Sequence, residues 1–256
     1  MNTHTLYEFP LNERIRVFMR LEQLFLQLDH FLSGQSVFDK RAAISVLLDI
    51  LTIFGRSDLK SEIIKELERH TKVLKQLGSS QAVDTDKLAP ILKDFNQASK
   101  NLYESNGKIG SKLMESDLFQ SISQRCSIPG GSCSFDLPAY HYWLEQDPAK
   151  QQIDLERWTQ PFADVRGAIS LILGLIRQSG QSSKEVAETG FFQLALDKDH
   201  PVQLLRVVVA ESLQCFAEIS GGKHRFSIRF MKPSTDESRP VQVCGDIPFD
   251  LTRCMF

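Results

Sequence analysis

The chain has no long apolar run, no excess of either charge and few cysteines, and each absence removes a class of function. Its longest apolar stretch, 168–176, is nine residues long and contains Ser170 and Gly174, well short of the roughly 20 residues that cross a bilayer. The opening segment, MNTHTLYEFPLNERIR, holds no apolar core of the kind a secretory signal needs. Lys and Arg number 30 against 32 Asp and Glu, a formal net charge of −2, so no global field draws the chain to nucleic acid or membrane. An electrostatic partner has to be sought in local clusters. Five cysteines (Cys126, Cys133, Cys215, Cys244, Cys254) are an odd number in a chain too long for a disulfide scaffold. They read as reduced thiols of a cytoplasmic protein. There is no internal repeat and no low-complexity tract.

What is present is ordinary globular material: 256 residues, 42% hydrophobic and 24% charged, enough to bury a full-sized core in one large or two smaller domains. Leu6 to Phe9 is a short β-prone run stopped by Pro10, an edge strand that needs a distant partner. Helical periodicity follows. Leu11, Ile15, Phe18, Leu21, Phe25, Leu28 and Leu32 recur at steps of three or four, with Asn12 as cap, and Ala43, Val46, Leu47, Ile50 and Ile53 continue the pattern until Gly55. Ser57 or Asp58 caps the next helix. Ile63, Leu67, His70, Leu74 and Leu77, then Leu88, Ile91, Phe95, Ala98 and Leu102, form two narrow apolar seams joined by a polar turn at 78–86. That pattern predicts an antiparallel helical hairpin, of about 2.5 heptads. Further helices are expected at 140–144, 152–158 and 161–178, the last strongly apolar and centrally buried, with Gly180 as its stop.

After Gly180 the period changes from 3.6 to 2. Short runs at 191–196, 202–210, 214–219, 224–231 and 241–244, separated by Gly, Pro and Asp, predict an antiparallel meander, with a polar loop at 232–240. Ser220-Gly221-Gly222-Lys223 reads as a hairpin turn whose glycines accept positive φ. The expected fold class is α+β: residues 1–9 a strand joining the C-terminal sheet, 10–180 an α-helical domain, 181–256 an antiparallel β domain.

The reactive residue types do not assemble into a catalytic or metal motif. Cys133, His141 and Asp136 are the types of a thiol nucleophile, its base and its orienter, but no nucleophile motif surrounds them. The expectation is a small, buried Cys133 and a partly exposed His141 on a helix. Cys126 and Cys133 lack CxxC spacing and have no accompanying HxxxH or carboxylate–His cluster. Ile128-Pro129-Gly130-Gly131-Ser132 lacks the lysine and spacing of a phosphate loop and reads as a rigid turn with close backbone approach. His70 reads as a packing residue. No catalytic residue, metal site or cofactor is expected, and the chain reads as a binding protein, not an enzyme.

One segment carries a binding signal. In Lys223-His224-Arg225-Phe226-Ser227-Ile228-Arg229-Phe230, alternation puts Phe226, Ile228 and Phe230 on one face and Lys223, Arg225, Ser227 and Arg229 on the other. A solvated strand face explains this pattern as well, except that closely spaced cations repel unless an anion lies over them. A nucleic-acid-binding module using strand 223–229 is the alternative, but base stacking needs aromatics on the exposed face, and here they point away. An acidic peptide is favoured. Arg14, Arg16 and Arg20 form a second basic set, with Arg16 and Arg20 four residues apart on one helix face.

At Ser127-Ile128-Pro129-Gly130-Gly131-Ser132-Cys133-Ser134-Phe135-Asp136-Leu137-Pro138 the chain resembles the ZapD family of bacterial cell-division proteins. The likeness extends to Leu11-Asn12-Glu13-Arg14 with Arg20-Leu21-Glu22, to His141-Tyr142-Trp143-Leu144, to Leu175-Ile176-Arg177-Gln178-Ser179, to Ile219-Ser220-Gly221 and to Arg225-Phe226-Ser227-Ile228-Arg229-Phe230-Met231. These blocks keep one order along nearly the whole chain; beyond Met231 the match is poor. The resemblance implies a helical domain followed by a β domain, assembled as a homodimer. It implies binding to the C-terminal tail of FtsZ, the tubulin-like division GTPase, and crosslinking of FtsZ filaments at midcell. The implied site is a positively charged pocket between the domains, with Arg20, His141 and Arg225 at matching positions; the strand alternation adds Lys223 and Arg229. Glu115-Ser116-Asp117 is acidic where the family is expected to supply a cation.

Overall fold

The structure, a computed structural model, describes residues 4–56, 58–78, 85–105, 107–126, 128–197, 201–234 and 238–256. It runs β1 (His4–Pro10), α1 (Glu13–Ser33), α2 (Val37–Arg56), α3 (Leu59–Gly78), α4 (Thr85–Glu104), α5 (Ser111–Met114), α6 (Asp117–Arg125), α7 (Pro138–Leu144), α8 (Pro148–Thr159) and α9 (Ala163–Gln178). The strands β2 (Gln181–Ala187), β3 (Phe191–Ala195), β4 (Leu204–Ala210), β5 (Phe216–Gly221), β6 (Arg225–Lys232), β7 (Val241–Gln242) and β8 (Ile247–Cys254) follow. The architecture is the expected one, a helical region followed by antiparallel sheets. The chain divides into two compact units, residues 20–172 and residues 1–19 with 173–256.

In the helical unit, local chemistry sets the helix starts. Ser36 and Asp39 cap α2 reciprocally: the Ser36 backbone N–H donates to Asp39 Oδ2 at 3.0 Å, and the Asp39 N–H donates to Ser36 Oγ at 3.1 Å. Asp58 caps α3, its Oδ1 accepting the Ser61 backbone N–H at 3.4 Å and its Oδ2 the Ser61 hydroxyl at 2.6 Å; Ser57, the alternative cap, lies outside the described residues, as does the turn segment 79–84. The hairpin is antiparallel: Tyr103 of α4 donates to Glu68 of α3 at 2.6 Å, and Phe95 lies against His70 with ring centroids 5.9 Å apart. Pro90 sits inside α4, later than a first-turn proline. The α9 residues Val165, Ile169 and Ile172 are buried, but Asp164, Arg166 and Ser170 are exposed, so this helix hides one face and is not enclosed. The short helices α5 and α6 were not foreseen.

The other unit is a pair of antiparallel sheets ordered β1-β4-β8-β2 and β3-β6-β5, with β7 on β6. A meander was expected, and the order differs because alternation specifies which face of a strand is buried, not which strand it pairs with. β1 pairs with β4, placing Phe9 opposite Leu205. Leu205, Val207, Phe226, Ile228, Phe230, Phe249 and Leu251 share one core between the sheets, each worth ~1.5–3 kcal/mol relative to exposure. The first helix enters from β1 through Asn12, whose Oδ1 accepts the Ile15 N–H at 2.9 Å. Gly180 ends α9 without positive φ. A Cβ there would stand 2.4 Å from Thr252 Cγ2, so close approach to β8 is what requires glycine.

Candidate functional site

β6 runs through the middle of its sheet and presents the two faces expected of it. Phe226, Ile228 and Phe230 are at most 1% exposed, while Lys223, Arg225 and Arg229 are exposed. Antiparallel register decides what lies beside each cation. Arg225 is opposite the small Ala195 on β3, and Ser227 is opposite Gln193 on β3 and Ser220 on β5. The Ser220 and Ser227 hydroxyls are 2.9 Å apart and hydrogen-bonded. Arg229 is opposite Phe191 on one side and Glu218 on the other. A directly opposed carboxylate offsets part of its field.

At the β5–β6 end of this face lies a cavity of about 430 Å³, lined in part by Gln193, Ser220, Lys223, His224, Arg225 and Ser227. Among the described residues no carboxylate lines it. The turn that forms it differs from expectation. β5 continues through Gly221, the Gly222 N–H donates to Arg225 O at 3.0 Å, and neither glycine has positive φ. Gly221 is required for space instead, since a Cβ would meet Phe226 Cβ at 2.6 Å. The tip is held from β3's side, where the Leu196 N–H donates to His224 O at 2.8 Å.

The remaining site candidates belong to the helical unit. Arg20 is exposed on α1, and His141 is exposed on α7. Arg16, grouped with Arg20 by helix spacing, is committed to structure: it donates to Pro10 O at 3.1 Å, pairs with Glu13 at 3.2 Å and lies 5.3 Å from the Phe9 ring centroid. Glu115 and Asp117 are exposed around the start of α6. The structure thus brings Lys223 and Arg225 together around one cavity, with Arg229 farther along the same face. Gln193, Ser220 and Glu218 were missed, because only cross-strand pairing reveals them.

The reactive residue types elsewhere are built into local turns and the core. Cys133 is exposed, not buried as expected, because it sits on the outside of a run of tight turns, its N–H donating to Gly130 O at 3.0 Å. Within the described part of that turn, Gly130 has φ 74° and a Cβ on Gly131 would lie 2.5 Å from Arg125 O; Ser127 lies outside the described residues. Arg41 braces the turn by donating to Ser132 O at 3.2 Å. Burial pushes the Cys254 thiol up to about 11, which leaves it protonated and unreactive. Among the described residues no group of three or more His, Cys, Asp or Glu is placed to hold a metal ion. No helix there is long and apolar enough to cross a membrane.

Comparison with known proteins gives one consistent answer. Residues 19–229 match the family described as ZapD, cell division protein. The Cell division protein ZapD of Methylococcus capsulatus is 48% identical over 255 residues, covering 100% of both chains. That of Nitrosomonas eutropha is 40% identical, covering 97% of this chain and 98% of its own. That of Aromatoleum aromaticum is 39% identical, covering 97% and 96%. The chain belongs to the ZapD family of cell division proteins.

Proposed function

We propose that this protein binds the C-terminal tail of FtsZ through Arg20, His141, Lys223, Arg225 and Arg229 and, as a homodimer, crosslinks FtsZ filaments into bundles that stabilise the division ring. It acts in the cytoplasm, at the division site, by binding alone, without catalysis, cofactor or metal. Membership of a cell-division family supports the setting. The observation that carries the binding mode is the exposed basic face of β6, held rigid by its own buried apolar face. Such a face attracts carboxylates and offers donors without reorganisation, so an extended acidic segment binds it at low entropic cost. Crosslinking needs two sites per particle, and a symmetric dimer supplies two copies of one site.

The nucleic-acid reading of strand 223–229 loses ground on the same observation. Phe226 and Phe230 are buried, so this strand has no ring of its own to stack on bases, and the exposed Phe191 beside Arg229 belongs to β3. The deciding experiment combines light scattering of the purified chain with sedimentation of FtsZ and GTP in its presence. A dimer mass and co-pelleting bundles are expected. A monomer mass with bundling intact at the same concentration defeats the crosslinking mechanism, and absence of co-pelleting defeats the partner.

A further inference from the structure

The charge along β6 is not uniform, and the asymmetry selects one end. At Arg229 the opposed Glu218 supplies a carboxylate already. At the turn end, Lys223 and Arg225 border a cavity whose lining, among the described residues, includes no acid. An anion laid on this face is therefore more favoured beside Arg225, whose β3 partner is the uncharged Ala195, than beside Arg229 with its opposed carboxylate.

The neutral side chains there are donors of the right kind. Ser220 and Ser227 share one hydroxyl proton across 2.9 Å; the second proton of the pair is left to point elsewhere. Gln193 lies in the same cross-strand row, next to Ser227, and adds two amide N–H donors. Ala195, opposite Arg225, is too short to fill the space beside the guanidinium. Positions two apart on one face of a strand are about 6.5–7 Å apart, a gap that one carboxylate bridges between the Ser227 hydroxyl and the Arg225 guanidinium. The turn at 222–224 lines one end of the cavity. A ligand chain laid along β6 from the Arg229 end is thus delivered there end-on.

We infer that the cavity at the β5–β6 turn is a subsite for a chain-terminal carboxylate, with Ser220, Ser227 and Gln193 as neutral donors and Lys223 and Arg225 as its cations. This rests on the reading that the FtsZ tail binds the β6 face, and it adds which atom group of the tail is recognised and by which uncharged residues.

The test is fluorescence anisotropy of the full chain with three synthetic FtsZ-tail peptides: free carboxylate, C-terminal amide, and free carboxylate with the acidic side chains converted to amides. The wild-type chain is expected to bind the terminal amide about tenfold more weakly than the free acid, as loss of one charge-assisted contact set predicts. The double variant Ser220→Ala/Ser227→Ala removes both hydroxyls together, so neither is stranded. It is expected to fold normally by circular dichroism and to lose most of the discrimination between acid and amide, as is Gln193→Leu in smaller measure. Arg229→Ala, at the far end of the face beside Glu218, is expected to weaken all three peptides by a similar factor and to leave the ratio between acid and amide unchanged. Equal binding of acid and amide by the wild-type chain overturns the subsite while leaving tail binding intact. So does full discrimination in the folded double variant, or a loss confined to the side-chain amide peptide, which would make the recognised carboxylate an acidic side chain. Failure of the wild-type chain to bind any of the three peptides overturns the proposed function and the subsite with it.

Discussion

Arg177, in the last turn of α9, donates to both carboxylate oxygens of Glu8 on β1, through Nε at 3.0 Å and Nη2 at 2.9 Å. The same carboxylate accepts from Arg206 Nε on β4 at 3.0 Å. Glu8 is thus the hub that ties the N-terminal strand to the helix end and to its sheet partner. The three side chains are only 17%, 26% and 30% exposed. Glu8→Ala removes the carboxylate shared by two partly buried guanidinium groups and is expected to cost about 2–3 kcal/mol, the lower side of what breaking a buried pair costs. Urea unfolding measures it. A loss below about 0.5 kcal/mol would class the cluster with ordinary surface pairs.

His70 gives the α3–α4 hairpin a pH dependence. Its pKa lies below the usual histidine value, chiefly because burial penalises the charged ring; the hydrogen bond to Glu66 opposes this and the Arg69 charge adds to it. The folded chain therefore holds this proton less tightly than the unfolded chain does. Well above the unfolded value of about 6.5 both states are neutral and the group contributes no slope. As pH falls below that value the unfolded state protonates first, and stability drops by up to about 1.4 kcal/mol per pH unit. Urea midpoints at pH 7.5, 6.5 and 5.5 are expected to fall less steeply for His70→Phe than for wild type. Parallel curves would assign the acid sensitivity to other groups.

Two glycines should respond in opposite directions to the same substitution. A Cβ on Gly131 lies 2.5 Å from the Arg125 carbonyl oxygen, a backbone atom that cannot step aside. Gly131→Ala is expected to cost about 1–3 kcal/mol, as for overpacking in general. A Cβ on Gly167, inside α9, meets nothing within 4 Å, so Gly167→Ala is expected to add about 0.5–1 kcal/mol through helix propensity. Thermal unfolding of the two variants reads both signs in one experiment.

The helices were legible because their apolar spacing and caps are local: Asn12 and Asp58 cap helices as their positions suggest. Two strands were not. β2 begins with Gln181-Ser182-Ser183-Lys184, polar because it is a sheet edge with exposed side chains. β8 carries Pro248, which reads as a turn, yet the strand lies between β4 and β2 with Pro248 exposed opposite Val186. The basic stripe was legible from alternation alone. Its interruption by Glu218 and the hydroxyl row beneath the turn were not, since both arise from residues that register brings together.

Charge reversal and salt together separate an acidic tail from nucleic acid as the ligand of β6. Arg225 is exposed beside the cavity while its neighbour Phe226 is buried, so Arg225→Glu changes the surface and leaves the core intact. One attraction becomes a repulsion, and affinity for the FtsZ tail is expected to fall tenfold or more, about 1.4 kcal/mol. Lys93→Glu, exposed on α4, is the control and should be silent. Lys60 would be a poor one, because its ammonium donates to Ser105 O at 2.5 Å and ties α3 to the end of the hairpin. Raising salt should weaken tail binding gently, since screening acts on a few close contacts. A duplex or single strand neutralising many phosphates would instead show a slope near −0.7 to −0.9 per phosphate contacted. A steep slope with a random oligonucleotide, together with tail binding that Arg225→Glu leaves unchanged in a folded protein, would reverse the assignment. The exposed face of β6 would then serve nucleic acid, or be a solvated strand face and no more.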